Sequence, residues 1–228
     1  MTNEYSINAF WNLPEVKAMR GQMQNEWHRF DVYKHTKKVY MSALERNLNS
    51  MKIIVASMLH DIGKIPTAKI SQDDEGNIRY SHGHACYQFP DHAQKGKEMI
   101  LAMPEKFFSG MSLNQENIAD IVGKHHMVQK HVTKIRTSAD NIKEVQRCLE
   151  NLKDDFYVGE SECMGRDLLE VFYSDSVGKG YSDKIELEMI VYHMLQNNSL
   201  DQKRLQKTAL KMHKRYDLNR YRIQNRVR

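Results

Sequence analysis

The chain has 228 residues, enough for one large or two small domains with a full core, and its 40% apolar and 28% charged content is ordinary for a soluble protein. Four prolines and eleven glycines against plentiful Met, Leu, Lys, Gln and Glu favour helix over sheet. No apolar window approaches roughly 18 residues, MTNEYSINAF has neither a basic start nor an apolar core, and Cys86, Cys148 and Cys163 form no CxxC pair, which excludes a transmembrane span, a secretory signal, a disulfide framework and a thiolate zinc site and points to the cytoplasm.

Helical periodicity predicts an amphipathic helix over 31–48, with Val32, His35, Val39, Ala43 and Leu44 near one face. A short, mostly apolar helix over 51–61 follows, burying Ile53, Ile54, Met58 and Leu59. Residues 69–90, KISQDDEGNIRYSHGHACYQFP, read as a long loop or small hairpin around the turn signal DDEGN. Such a loop in a helical domain is more often functional than accidental. Further helices are predicted over 91–103 with Asp91 as N-cap, 114–126 with an Asn cap, and 138–152 with a Ser cap. Two more span 162–176 and 182–196, the latter capped by Ser182, and no element is assigned between His126 and Ser138.

A last, basic helix is expected from about Ser199. Residues 201–228 carry ten Lys/Arg against two Asp, so the rest of the chain sums to −3 of the total +5. A basic tail with Tyr216 and Tyr221 interleaved suits a phosphate backbone, and suits equally the solvated face of a helix packed through Leu205 and Leu210. With no repeat and no low-complexity linker, the expected organisation is a domain over 1–200 and a basic helical extension over 201–228.

One set of residues is not accounted for by packing alone. His35, His60-Asp61, His92, His125-His126 and Asp175 each lie on or at the end of a predicted helix, with apolar residues three or four positions away. They would point inward, where an unpartnered imidazole or carboxylate costs several kcal/mol. A divalent ion satisfies such a set at once, and facing helices of a bundle supply it. A single histidine on an apolar face is more often a hydrogen-bonded core residue, and His28, His193 and His213 are read that way.

The ordered set around LHDIGK (59–64) resembles the HD-domain superfamily of metal-dependent phosphohydrolases. HRFDVYKHT (28–36) is similar to the run that opens the HD domain of bacterial CCA-adding tRNA nucleotidyltransferases and related stand-alone hydrolases. DEGNIRY with FPDHAQKGKEM matches a second stretch of theirs, apart from an extra segment, SHGHACYQ. IVGKHH is similar to the paired-histidine helix of the HD-GYP phosphodiesterases. The resemblance covers about residues 25–180. With only about 25 residues before it and no GYP triplet after His126, neither tRNA-end synthesis nor cyclic di-GMP hydrolysis is expected.

The resemblance implies an all-α HD bundle with an active-site loop over about 69–90. It implies one or two divalent ions (Mn, Fe, Co, Ni, Zn or Mg) held by His35, His60, Asp61, His92, His125, His126 and Asp175, with Asp167 the alternative last ligand. A metal-activated hydroxide would attack phosphorus in line, with Asp61 and Lys64 catalytic. Lys64, His82, His84 and Lys95 are candidates for substrate binding, and Gly63 would let the chain turn after the ligand pair. Lys124 and Lys130 are further phosphate candidates, each equally a surface lysine. The expected substrate is a nucleotide or a nucleic-acid end phosphate, with RNA or DNA contacting the basic tail. The alternatives are a hydrolase of small polyphosphorylated nucleotides and a two-iron oxygenase of the same fold.

Overall fold

The computed structural model describes residues 7–158, 162–197 and 202–224, the side chains of 157, 158, 162, 163, 202 and 215–224 excepted. It is helical throughout, as the composition predicts, apart from two short ladders. The contacts divide it into two compact units, Met1–His126 with Glu170–Tyr181, and Met127–Leu169 with Ser182–Arg228.

The first unit begins with two short helices, α1 (Ile7–Trp11) and α2 (Pro14–Ala18). Helix α3 (Val32–Arg46) starts at Asp31, whose carboxylate accepts the N–H of Lys34 at 2.7 Å, a side-chain cap on a free helix donor. Helix α4 (Met51–Leu59) is buried from Ile53 to Leu59, so it forms the centre of the unit. It packs against α3 and α8 (Gln115–Lys124), and α8 packs along α6 (His92–Leu101). Two single-turn helices, α5 (Lys64–Thr67) and α7 (Lys106–Ser109), complete the connections. Asn114 caps α8 as predicted, accepting the Asn117 N–H at 2.7 Å. Asp91 does not cap α6. It lies at the helix start in the left-handed region (φ 53) and makes no capping bond, because the preceding chain arrives by a sharp turn.

Residues 69–90 realise the hairpin alternative, as two nested antiparallel ladders. Strand β1 (Lys69–Ile70) pairs with β4 (Tyr87–Gln88), and β2 (Tyr80–Ser81) with β3 (His84–Ala85). His82 and Gly83, both at positive φ, make the two-residue turn whose twist suits a tight hairpin. The extra segment SHGHACYQ therefore supplies the returning arm. At the other bend Asp73 accepts the main-chain N–H groups of Glu75 and Asn77.

The second unit holds α9 (Met127–Thr137), α10 (Ile142–Lys153), a π-helical turn (Asp154–Val158), α12 (Glu186–Gln196) and α13 (Gln202–Gln224). Helix α11 (Glu162–Gly178) contributes its first part here and belongs to the first unit from Glu170 onward. Val128, Val132, Ile135, Val145, Leu149, Leu187, Val191, Leu205 and Met212 are buried. Two predicted caps are corrected. Helix α10 starts after Asn141, which accepts the Glu144 N–H, because Ser138 lies just past the end of α9. Helix α12 starts after Ile185 with no side-chain cap, four residues beyond Ser182. The predicted start of the basic helix at Ser199 lies outside the described residues. So do the side chains of Tyr216 and Tyr221.

Candidate metal centre

LHDIGK lies where α4 runs out. His60 follows the last residue of α4 and His125 the last of α8, positions where helix carbonyls lack main-chain partners. The sequence uses those carbonyls. Nδ1–H of His60 donates to the Ser57 carbonyl (2.7 Å), His125 to Val122 (2.6 Å), and His92 to Phe89 (2.7 Å). A carbonyl only accepts, so Nδ1 holds a proton in all three rings, and when the ring is neutral its lone pair is on Nε2. Helix C-termini are also the ends that favour positive charge.

The lone pairs converge on carboxylates. His60 Nε2 is 3.2 Å from Asp61 Oδ2 and 3.8 Å from Asp175 Oδ1. His35 Nε2 is 3.1 Å from Asp175 Oδ1, 3.4 Å from Asp61 Oδ2 and 3.2 Å from His60 Nε2. On the other face of Asp61, Oδ1 is 3.5 Å from His92 Nε2 and 4.0 Å from His125 Nε2. His126 closes that side, its ring 4.5 Å from His92 and 4.3 Å from His125. The structure thus brings together all seven residues read as ligands, in one unit. Asp175 is buried beside His35. Asp167 lies in the other unit and joins none of the ligand groups found among the described residues.

These residues fit a divalent ion on their own chemistry. His92 Nε2 and His125 Nε2 are buried without a hydrogen-bond partner, and neither oxygen of Asp61 receives a well-directed hydrogen bond. Such orphaned acceptors cost about 1–3 kcal/mol each unless something positive meets them. Ligand atoms within 4.8 Å of one another group as His35, His60 and Asp61, as His92, His125 and His126, and as His28, His35 and Asp175.

The proton affinities follow the same geometry. Burial alone would hold protons on Asp61, yet His60 and Lys64 beside it keep its carboxyl well below the usual range. Asp175 is held down likewise, burial being outweighed by Lys179, His35 and His60. Burial, then His92 and His60, bring His125 down to about 3, and burial with His125 and His92 lowers His126 well below the ordinary value. His60 runs the other way: burial opposes its proton, but Asp61 and then Asp175 outweigh burial and raise its affinity.

Lys64, read from the sequence as a catalytic and substrate-binding residue, is engaged within the cluster. Its buried ammonium is 2.7 Å from Asp61 Oδ2 and donates to Gln24 Oε1 at 2.6 Å, beside the Phe89 ring. Gly63 has an ordinary helical φ of −78, so it is not there for the turn. A side chain on it would strike the His92 carbonyl oxygen and come 2.6 Å from Gly96 N, so the glycine admits the start of α6. His82 is exposed and meets Tyr181, whose hydroxyl is 2.9 Å from its Nε2. His84 is exposed on β3, and Lys95 pairs with Glu98 on its own helix at 3.2 Å; none of these three makes a described contact with the ligand cluster. Lys124 and Lys130 are exposed. Sequence reasoning missed Gln24, Lys179 and His28. Of these only His28 carried a signal, as the first residue of HRFDVYKHT.

No curated protein and no solved structure matches the chain. A family profile described as the HD domain matches residues 28–150, more than half of the chain and all of the cluster except Asp175. With His60-Asp61 between His35 and the later histidines, and with bare imidazole nitrogens turned onto two buried carboxylates, the chain belongs to the HD-domain family.

Proposed function

We propose that the protein is a metal-dependent phosphohydrolase acting on a nucleotide or on a phosphorylated nucleic-acid end. The observation that carries this reading is the convergence of buried acceptors on Asp61, with one buried ammonium alongside. His35, His60, Asp61 and Asp175 would hold one ion, and His92, His125 and His126, with Asp61 shared, a second. Such ions supply Lewis acidity to phosphoryl oxygens and to water.

The chain's own groups do the rest. Asp61 stays ionised at neutral pH, and Lys64 with Gln24 fixes its orientation while adding a positive charge that meets charge growing on phosphoryl oxygens. The main-chain carbonyls of Ser57, Phe89 and Val122 keep the imidazoles in their ligating tautomer, so no reorganisation is needed when an ion enters. Burial of the ligands strengthens each of these interactions over its value in water.

The nucleic-acid part of the proposal is supported by Lys203, Arg204, Lys207 and Lys214, exposed along α13. Polyanion binding through such a face falls steeply with salt. A phosphatase screen with Mn, Co or Ni across nucleotides, 2′,3′-cyclic ends and 3′- or 5′-phosphorylated RNA tests the reading. Release of phosphate from at least one class is expected, abolished by Asp61→Asn. No turnover with any ion, together with an iron-dependent optical band, would overturn it in favour of oxygen chemistry. Activity confined to free nucleotides and unchanged by Lys203→Glu with Lys207→Glu would restrict it to small substrates.

A further inference from the structure

His28 lies seven residues before His35, and packing alone would make it a core histidine. Its surroundings say otherwise. The main-chain N–H of Trp27 donates to Asn25 Oδ1 at 3.2 Å, which identifies that atom as the amide oxygen. His28 Nδ1 lies 2.9 Å from the same oxygen. The oxygen only accepts, so Nδ1 holds the proton and Nε2 is left as a bare lone pair. This is the arrangement that main-chain carbonyls impose on His60, His92 and His125, here built from a side chain.

The ring meets that of His35 edge-on, centroids 5.0 Å apart, and a His28 nitrogen lies within 4.8 Å of ligand atoms of both His35 and Asp175. Donors about 2.0–2.2 Å from a common ion are at most about 4.4 Å apart, so small side-chain adjustments bring all three onto one ion.

We propose that His28 is a further ligand on the Asp175 side of the carboxylate-rich position, which then has three imidazoles and two carboxylates. The inference rests on the reading of the cluster as a metal centre and specifies its selectivity. Magnesium keeps oxygen ligands and water, whereas an imidazole-rich set suits Mn, Fe, Co, Ni or Zn. The carboxylate-rich position therefore discriminates against magnesium through His28.

The test uses the full chain stripped with chelator and titrated with Mn²⁺ by calorimetry, with metal content measured in parallel. His28→Gln should weaken one class of sites by about 100-fold and leave uptake at the His92–His125–His126 position intact, while narrowing the preference for Mn²⁺ over Mg²⁺. Its Tm in chelator should match wild type, with only the Mn²⁺-induced rise reduced. Asn25→Leu, which keeps the ring but frees its tautomer, should weaken the same class by about 10-fold. Wild-type affinity in His28→Gln, or an equal Tm loss with and without Mn²⁺, overturns this inference alone. A wild-type chain that takes up no ion overturns it together with the metal reading.

Discussion

Gly63→Ala places one methyl group at the most crowded point of the centre. The added carbon meets the His92 carbonyl oxygen head-on and comes 2.6 Å from Gly96 N, against the 3.4 Å at which ordinary contact begins, a shortfall of about 0.8 Å. Both opposing atoms are backbone, so neither can swing aside, and the start of α6 must retreat by at least that distance. Overpacking of this kind costs about 1–3 kcal/mol, with a backbone conflict at the upper end. At about 2–4 °C per kcal/mol for a chain of this size, Tm should fall by about 6–12 °C. His92 rides on α6, 3.5 Å from Asp61 Oδ1, and ligand distances tolerate only about 0.2 Å, so the histidine-rich position should lose its ion. Gly123→Ala is the control, next to the same ligands. The nearest atoms to its new carbon are Lys97 methylenes, at 3.0 and 3.3 Å, which need give by only a few tenths of an ångström while Lys97 stays paired with Asp120. A helical Gly→Ala gains up to about 1 kcal/mol, so this variant should match or exceed wild type. Thermal melts in chelator and metal analysis of both proteins decide the matter. A Gly63→Ala protein with wild-type Tm and full metal content would show that α6 does not need the close approach.

Lys64→Met leaves Asp61 buried without its ammonium and should destabilise the chelated protein by about 3 kcal/mol while cutting phosphatase activity about 10²–10³-fold; an unchanged melt in chelator refutes the pairing. Chelator should lower Tm in proportion to lost ion binding, about 2.7 kcal/mol at an ion concentration of 100 Kd, and a melt indifferent to Mn²⁺ contradicts a buried metal centre. His28, His35, His125 and His126 all have lowered proton affinity, His125 down to about 3. As pH falls below about 6.5 the unfolded chain therefore binds protons that the folded chain refuses, at His125 down to about pH 3. Stability of the chelated protein should fall as pH drops below that point, with His125 contributing up to about 1.4 kcal/mol per unit until about pH 3. His60, shifted upward, adds no slope there, because its contribution is complete below its unfolded value. His125→Gln should flatten the curve by one histidine's share, and an identical slope in that variant refutes the assignment.

What could be read from the chain and what could not divide along physical lines. His35, His60, Asp61, His92 and His125 were legible because each combines a ligating side chain with apolar residues at helical spacing, and all five are buried. Helix α9 was missed although Val128, Val132 and Ile135 have the right period, because it follows α8 without the Gly, Pro or cap that separates other elements. The two Ser caps were misplaced for a related reason: a serine marks a helix start only where the chain leaves helical geometry, and the chain turns nearer Asn141 and Ile185. Gln24 was invisible, since a lone glutamine carries no sign of a buried partner 40 residues along the chain. Gly63 was singled out for the wrong cause. A sequence shows that a side chain is missing, and only packing shows what the missing atom would have met.

The opposite proton affinities of His60 and His125 locate the demand for positive charge. Both rings are buried and both have Nδ1 tied to a carbonyl three residues back, so burial and tautomer cannot distinguish them. The carboxylates do. His60 Nε2 faces Asp61 at 3.2 Å and Asp175 at 3.8 Å, whereas His125 has one carboxylate oxygen at 4.0 Å and histidine rings around it. Without an ion, a proton on His60 adds positive charge that the two carboxylates favour, whereas His125 refuses one. His60 holds its proton more tightly than an ordinary imidazole, and an ion taking its lone pair must expel that proton. Calorimetric titration of the apo protein with Mn²⁺ at pH 6.5, in buffers of different ionisation enthalpy, should show net proton release when an ion takes the lone pair of His60. An ion that takes the lone pair of His125 should displace no proton from that ring, which is already neutral. Equal proton release at both steps would mean that the two sides of Asp61 are electrostatically alike, which the placement of Asp175 forbids.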